Sequence, residues 1–313
     1  MIPMPKYSAL ALLPLLAACT APANVERVRE FAARQDPATF TCCEKPEKSY
    51  PKPLVDAALA FTVQFADEMF ALRDMIYGSS GDGTAKVPGK LADKPGAYEA
   101  VTSRLRPMDL ALLANKSHIG GNIVPGRFTH MLVYLGSEAE LRAAGLWNLP
   151  ELVPLHPRIR NGEHFLEALY PVVDLSPPSD VLRTDGVFLI HPDLTLAQKR
   201  RGLTAMLARM GDPFDYSFDN ASDDAVSCTE LVGKALPELG FTERTAFGRK
   251  VFFPDDVAAQ TIRGGEGLHF LGYVHGTDTG YEVRGIRSAM ADITAYWGGQ
   301  FEREAREATA IGK

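Results

Sequence analysis

The stretch that decides the fold is "RFTHMLVYLG", residues 127–136. Its side chains alternate in the manner of a strand. Phe128, His130, Leu132 and Tyr134 share one face, and Thr129, Met131, Val133 and Leu135 share the other. Gly136 closes the run. One histidine therefore sits among apolar neighbours on a strand. That arrangement fits either a satisfied rim histidine or a positioned base.

Working outward, short strand-length runs recur on both sides. "MDLALLA" (108–114) precedes it, and "HFLEALY" (164–170) and "DGVFLIHP" (185–192) follow. "LTLAQKRRGLTAMLARMG" (194–211) has helical periodicity and ends at Gly211. "FFPDDVAAQ" (252–260) reads as a turn into a short helix, and "LHFLGYV" (268–274) as a last strand. Residues 53–77 carry apolar positions at helical spacing after Pro53, and residues 78–97 read as a Gly/Pro/Lys-rich loop. No internal repeat is present. The expectation is an α+β chain, a small antiparallel sheet or half-barrel packed with helices.

Of the 313 residues, 46% are hydrophobic and 23% charged, and the formal net charge is -6. No basic block stands out, so nucleic acid is a poor partner. The N-terminus reads "MIPMPKYSALALLPLLAAC". Lys6 gives a positive start, and the apolar run over 8–18 is too short to span a bilayer. Leu16-Ala17-Ala18-Cys19 resembles a bacterial lipobox. That resemblance implies a signal peptide over 1–18, lipidation of Cys19 and a membrane anchor in the cell envelope. Thr20 stands where an inner-membrane retention signal would place Asp, which points to the periplasmic face of the outer membrane. Residues 19–52 are then a tether, 53–103 an N-terminal helical extension and loop, and 104–313 the main domain.

In that compartment disulfides are allowed. Beyond Cys19 the chain has Cys42, Cys43 and Cys228. Adjacent Cys42 and Cys43 cannot make a relaxed bridge with each other. Either one of them pairs with Cys228 or neither does. No Cys/His spacing suggests zinc, and no cofactor is expected.

Cys228 lies in "DDAVSCTELVGKAL" (223–236), at the start of a helix-like pattern. A helix N-terminus lowers a thiol pKa through its dipole and free N–H groups. A histidine can take the thiol proton, and a third polar group can fix the imidazole. His130 and Glu167 are the candidates for those two roles, with His164 a competitor for the third. Read singly, each has a structural alternative: a disulfide half, a rim histidine, a solvated strand residue.

Taken in order, "MDLALL", "THMLVYLG", "FLEA" and "SCTELVGKAL" resemble the permuted papain-like families allied to NlpC-type peptidases and to lecithin:retinol acyltransferase. "GDPFDYSF" (211–218) resembles the segment ahead of their nucleophile. The resemblance spans roughly residues 104–275. It implies a permuted papain-like fold, with Cys228 as nucleophile, His130 as base and Glu167 as its orienting partner. Two departures stand out: Met108 replaces the usual Gly, and Phe214 replaces a common tyrosine, with Tyr216 nearby. The segment 137–163 is rich in apolar groups, among them Trp147. Those groups either cover the core or line a groove, which makes Trp147 a candidate substrate-binding residue, and Tyr216 of the 211–218 segment, read as lining the cleft, is the other. The implied activity is an envelope-anchored thiol hydrolase acting on an amide bond of a cell-wall peptide or similar substrate through a thioester. A lipid acyl hydrolase or acyltransferase, and a non-catalytic envelope binding protein on the same fold, are the alternatives.

Overall fold

The computed structural model describes residues 34–42, 89–115, 126–221, 223–246, 249–265 and 267–297. Cys19, Cys43, the helix expected over 53–77 and most of the expected 78–97 loop lie outside the described residues.

The chain is α+β. Its centre is a seven-stranded antiparallel sheet in the open order β4-β3-β2-β1-β5-β8-β9. These strands are β1 (Leu110–Leu113), β2 (His130–Tyr134), β3 (Phe165–Ala168), β4 (Val173–Ser176), β5 (Gly186–Pro192), β8 (Leu268–Gly276) and β9 (Tyr281–Arg284). A separate antiparallel pair is formed by β6 (Glu243–Ala246) and β7 (Arg249–Phe252). Every residue of β1, β2 and β3 is buried. That is why the "LALL" run carries no polar alternation: both sides of the sheet are covered.

The two faces separate by parity. Leu110, Leu112, Met131, Val133, Phe188, Ile190 and Tyr273 face one core. Ala111, Leu113, Leu132, Tyr134, Val187, Leu189 and Val274 face the other. The first core also holds buried residues of the helices α5 (Leu196–Leu207), α6 (Cys228–Ala235) and α7 (Pro254–Ile262), and of the helical residues 286–297. The second is closed by α1 (Ala97–Thr102), Leu91 and the short α4 (Pro178–Val181). Gly202 sits where α5 meets α6. A methyl group there would meet Leu236 Cδ2 at 2.3 Å, so a side-chain-free position sets the approach of the two helices.

Several expectations change. The apolar segment 137–163 is a folded element: α2 (Glu138–Ala143) with a Ser137/Glu140 capping box, then α3 (His156–Arg160). Leu146, Trp147, Leu152 and Ile159 belong to the first core, so these groups cover the protein's own interior. Strands β4, β6, β7 and β9 have no expected counterpart, and β8 is followed by β9 instead of ending the sheet. Part of the expected tether is docked. Phe40 is buried, its carbonyl accepts from Arg263 Nη1 at 3.0 Å, and Gln35 O accepts from Arg287 Nη1 at 3.1 Å.

Candidate active site

Ser227 is the N-cap of α6 and Cys228 its first residue. Ser227 and Glu230 form a capping box: the Ser227 N–H donates to Glu230 Oε2 at 3.0 Å. This fixes the helix start immediately before the thiol. Cys228 is a free cysteine, 4% exposed, whereas Cys42 is disulfide-bonded. Cys228 is therefore not the partner of Cys42.

β2 supplies the next two groups. Its pairing with β3 begins at Leu132, so the sheet does not claim the β3-side edge of β2 at Met131. The thiol sits at this free edge, where Sγ accepts the Met131 N–H and the Thr229 N–H. His130, one residue before Met131, is hydrogen-bonded to Cys228. Glu167 on β3 is two residues along in register, opposite Leu132, and its Oε2 lies 2.5 Å from His130 Nε2. That contact leaves Nδ1 as the ring nitrogen for the thiol. Ser176 of β4 donates through its hydroxyl to Glu167 Oε1. Three adjacent strands and one helix start thus build a continuous chain Cys228–His130–Glu167–Ser176.

All three central groups are nearly buried, His130 at 6% and Glu167 at 5% exposed. Burial alone would push the Cys228 thiol up. The charge of His130, its hydrogen bond, and the two backbone N–H groups outweigh that and hold the thiol below its ordinary value. Burial likewise pushes His130 down. The Cys228 charge and hydrogen bond, with Glu167, overcome it and raise His130 to about 10. Both shifts favour a thiolate–imidazolium pair.

The other sequence candidates are placed as follows. His164 does not hold His130; its Nε2 lies 3.2 Å from Ile159 O. Trp147 is 2% exposed, with its ring stacked on His156 at 3.6 Å and with Arg142 and Arg160 over it at 5.2 and 5.3 Å. It packs in the first core, and it also lines a cavity with Arg142, Gly145, Asn148, Leu149 and Arg200, away from Cys228. Tyr216 is half-buried between Tyr170 and Phe214, ring centroids 6.0 and 5.2 Å away. The chain leading to it runs beside Val226, two residues ahead of Cys228, since Phe214 bridges Val226 and Val172 bridges Pro213.

Sequence reasoning missed Ser176 and the Met131 N–H. The first lies on a strand whose short, proline-flanked run gave no signal. The second is a backbone group exposed only by where β3 stops. It also missed a second acid–histidine pair, Asp109 Oδ1 to His191 Nδ1 at 2.6 Å. Asp109 precedes β1 at the end opposite His130, about 13 Å along at about 3.3 Å per residue. It shares no group with the Cys228 site. Among the described residues no cluster of three or more His, Cys, Asp or Glu side chains could hold a metal ion.

No family model and no curated protein matches the sequence. Among solved structures, the metalloprotein yiiX from Escherichia coli O157:H7 is similar at 13% identity and a TM-score of 0.39, over 53% of this chain and 96% of that one.

Proposed function

We propose that this chain is a thiol hydrolase of the permuted papain-like type, held at the cell envelope by a lipid on Cys19, that cleaves an amide bond through Cys228, His130 and Glu167. The observation that carries the reading is a free, buried thiol at a helix start whose ionisation is favoured by a histidine that is itself hydrogen-bonded to a buried carboxylate. His130 accepts the Cys228 proton at Nδ1. Sγ adds to the carbonyl carbon, and the backbone N–H of Cys228, at the first turn of α6, is free of intrahelical duty and available to the oxyanion. On collapse, His130 returns the proton to the departing nitrogen, and a thioester remains on Sγ. Water, losing a proton to His130, then hydrolyses it. Glu167 keeps Nε2 protonated and supports the imidazolium in both halves. Ser176, on the far oxygen, limits Glu167 to one rotamer.

The substrate is a peptide or acyl-containing component of the envelope. The test is trapping. Wild-type protein incubated with an activated acyl donor should gain one acyl mass on Cys228, and Cys228→Ala should gain none. Identical behaviour of the two proteins sinks the enzyme reading and favours a non-catalytic binding protein.

A further inference from the structure

The half-buried rings of Tyr170, Tyr216, Phe214 and Phe218 form one continuous run, with successive centroids 6.0, 5.2 and 5.8 Å apart. They come from two segments that meet beside Val226, two residues ahead of Cys228. The Phe214 N–H donates to Pro171 O at 3.1 Å, and Asp215 N–H to Val226 O at 3.1 Å, two residues before Cys228. Leu169, next to Tyr170, is 39% exposed and extends the apolar surface. The loop that carries the rings is built for its shape. The buried Asp215 carboxylate accepts Ser217 N–H at 2.7 Å and Asp219 N–H at 2.8 Å. Phe218 is held at φ 51, a left-handed backbone that costs a phenylalanine about 1 kcal/mol or more and is tolerated only when its surroundings impose it.

Charge narrows what this surface accepts. Residues 211–227 contain Asp212, Asp215, Asp219, Asp223 and Asp224 but no Lys or Arg. The nearby cations are engaged: Arg209 with Asp212, Lys234 with Asp223 and Glu230, and Arg249 with Ser217 O. Lys250, whose carbonyl accepts the Asn220 N–H, is paired with Glu243 at 3.5 Å, so among the described residues a carboxylate or phosphate on the incoming group meets five loop aspartates and cations that already have partners.

We infer that Tyr170, Phe214, Tyr216 and Phe218 form the acyl subsite of the Cys228 centre, selecting an uncharged, flat apolar acyl group and rejecting acyl groups that carry an anion. The inference rests on Cys228 being the nucleophile, and it turns the substrate away from carboxylate-bearing wall peptides. In the step concerned, Sγ bonds to the acyl carbon and the carbonyl–heteroatom bond breaks. The leaving group departs with that electron pair and the proton held by His130, and water later releases the carboxylic acid and the thiol.

The probes are 4-nitrophenyl acetate, benzoate and succinate, which share one leaving group and differ in acyl group. Rates of Cys228 thioester formation, read by intact mass and by nitrophenolate release, are divided by each ester's rate with N-acetylcysteine to remove intrinsic reactivity. Benzoate is expected to exceed acetate by at least about tenfold, as burial of several additional apolar carbons requires. Succinate is expected to fall below acetate by about tenfold. Phe218→Ala should lower the benzoate-to-acetate ratio severalfold, and Phe218→Leu, which keeps an apolar side chain at the strained position, should lower it less. Labelling of Cys228 with equal normalised rates for the three esters, or with succinate preferred, overturns the subsite and leaves the nucleophile standing. No labelling of Cys228 by any ester overturns both.

Discussion

Replacing His130 by alanine should reverse the direction in which the Cys228 pKa is displaced. In the intact site the largest single influence on the thiol is burial, which raises it from its ordinary 9.0. Against this stand the His130 charge, the His130 hydrogen bond, and the Met131 and Thr229 N–H groups, in that order, and together they win. His130→Ala removes the first two. A sulfur on a residue 4% exposed then keeps its full burial cost against two backbone donors, and the midpoint should rise above 9.0. The scale follows from the partner. His130 is lifted from 6.5 to about 10, which at about 1.4 kcal/mol per pH unit is on the order of 5 kcal/mol favouring the charged pair and its carboxylate. A thiol left at 9.0 is only about 1% ionised at pH 7, and one held below 9.0 is ionised to a larger extent. In the variant the thiolate should therefore fall below about 1% of the protein at pH 7.

Far-ultraviolet thiolate absorbance against pH, recorded as the difference from Cys228→Ala, measures it. The wild-type signal should be present at pH 7 and lost on acidification. The variant signal should emerge only in the alkaline range. A wild-type midpoint at 9.0, or one that His130→Ala leaves in place, would refute the proton transfer on which the whole site depends.

The pair also predicts a plateau in stability. Wherever the folded thiol is ionised, folding moves one proton from Cys228 to His130 without net uptake, so stability should be flat from the folded thiol midpoint, or from 6.5 if that is higher, up to the unfolded 9.0. Above 9.0 the folded chain binds one more, and stability should fall by up to about 1.4 kcal/mol per pH unit until about pH 10. Denaturant titrations across pH, with Cys228→Ala lacking the plateau, check this. Glu167→Gln should lower turnover of the benzoate probe on the order of 10²-fold while the protein stays folded, because His130 keeps a neighbour but loses its counter-charge; unchanged turnover removes Glu167 from the site. Thr129 is buried beside His130 and its hydroxyl has no hydrogen-bond partner among the described residues, so Thr129→Val should raise stability by about 1 kcal/mol in thermal melts, and a loss would mean that the hydroxyl is in use. Gly202→Ala should cost about 1–3 kcal/mol through its overlap with Leu236, and a neutral result would mean that α5 and α6 slide apart freely.

The first core strands and the groups they carry were legible in the sequence because their information is local. The alternation of residues 127–136 assigns Met131 and Val133 to one face and Leu132 and Tyr134 to the other, as the two cores have them. The helix start at Cys228 is written in Ser227 and Glu230, three residues apart, and the box they form is a contact within one turn. Met108 shows local information read by its residue type alone. The resemblance expects Gly there, and the backbone has the glycine-like φ of 79, yet a buried methionine occupies it.

What the tertiary structure decided depends on where strands end and which chains lie side by side. The free Met131 edge exists because β3 joins β2 only from Leu132 onward, and nothing in either strand marks that stop. Ser176 reaches Glu167 because β4 lies beside β3, a pairing that the short run of β4 does not announce. Asp109 meets His191 across 82 positions for the same reason: β1 and β5 are neighbours in space only. The segment 137–163 was equally open to a groove wall and a core cover, since apolar composition gives the same signal for both. Burial of Leu146, Trp147, Leu152 and Ile159 in the first core chose the cover for those groups.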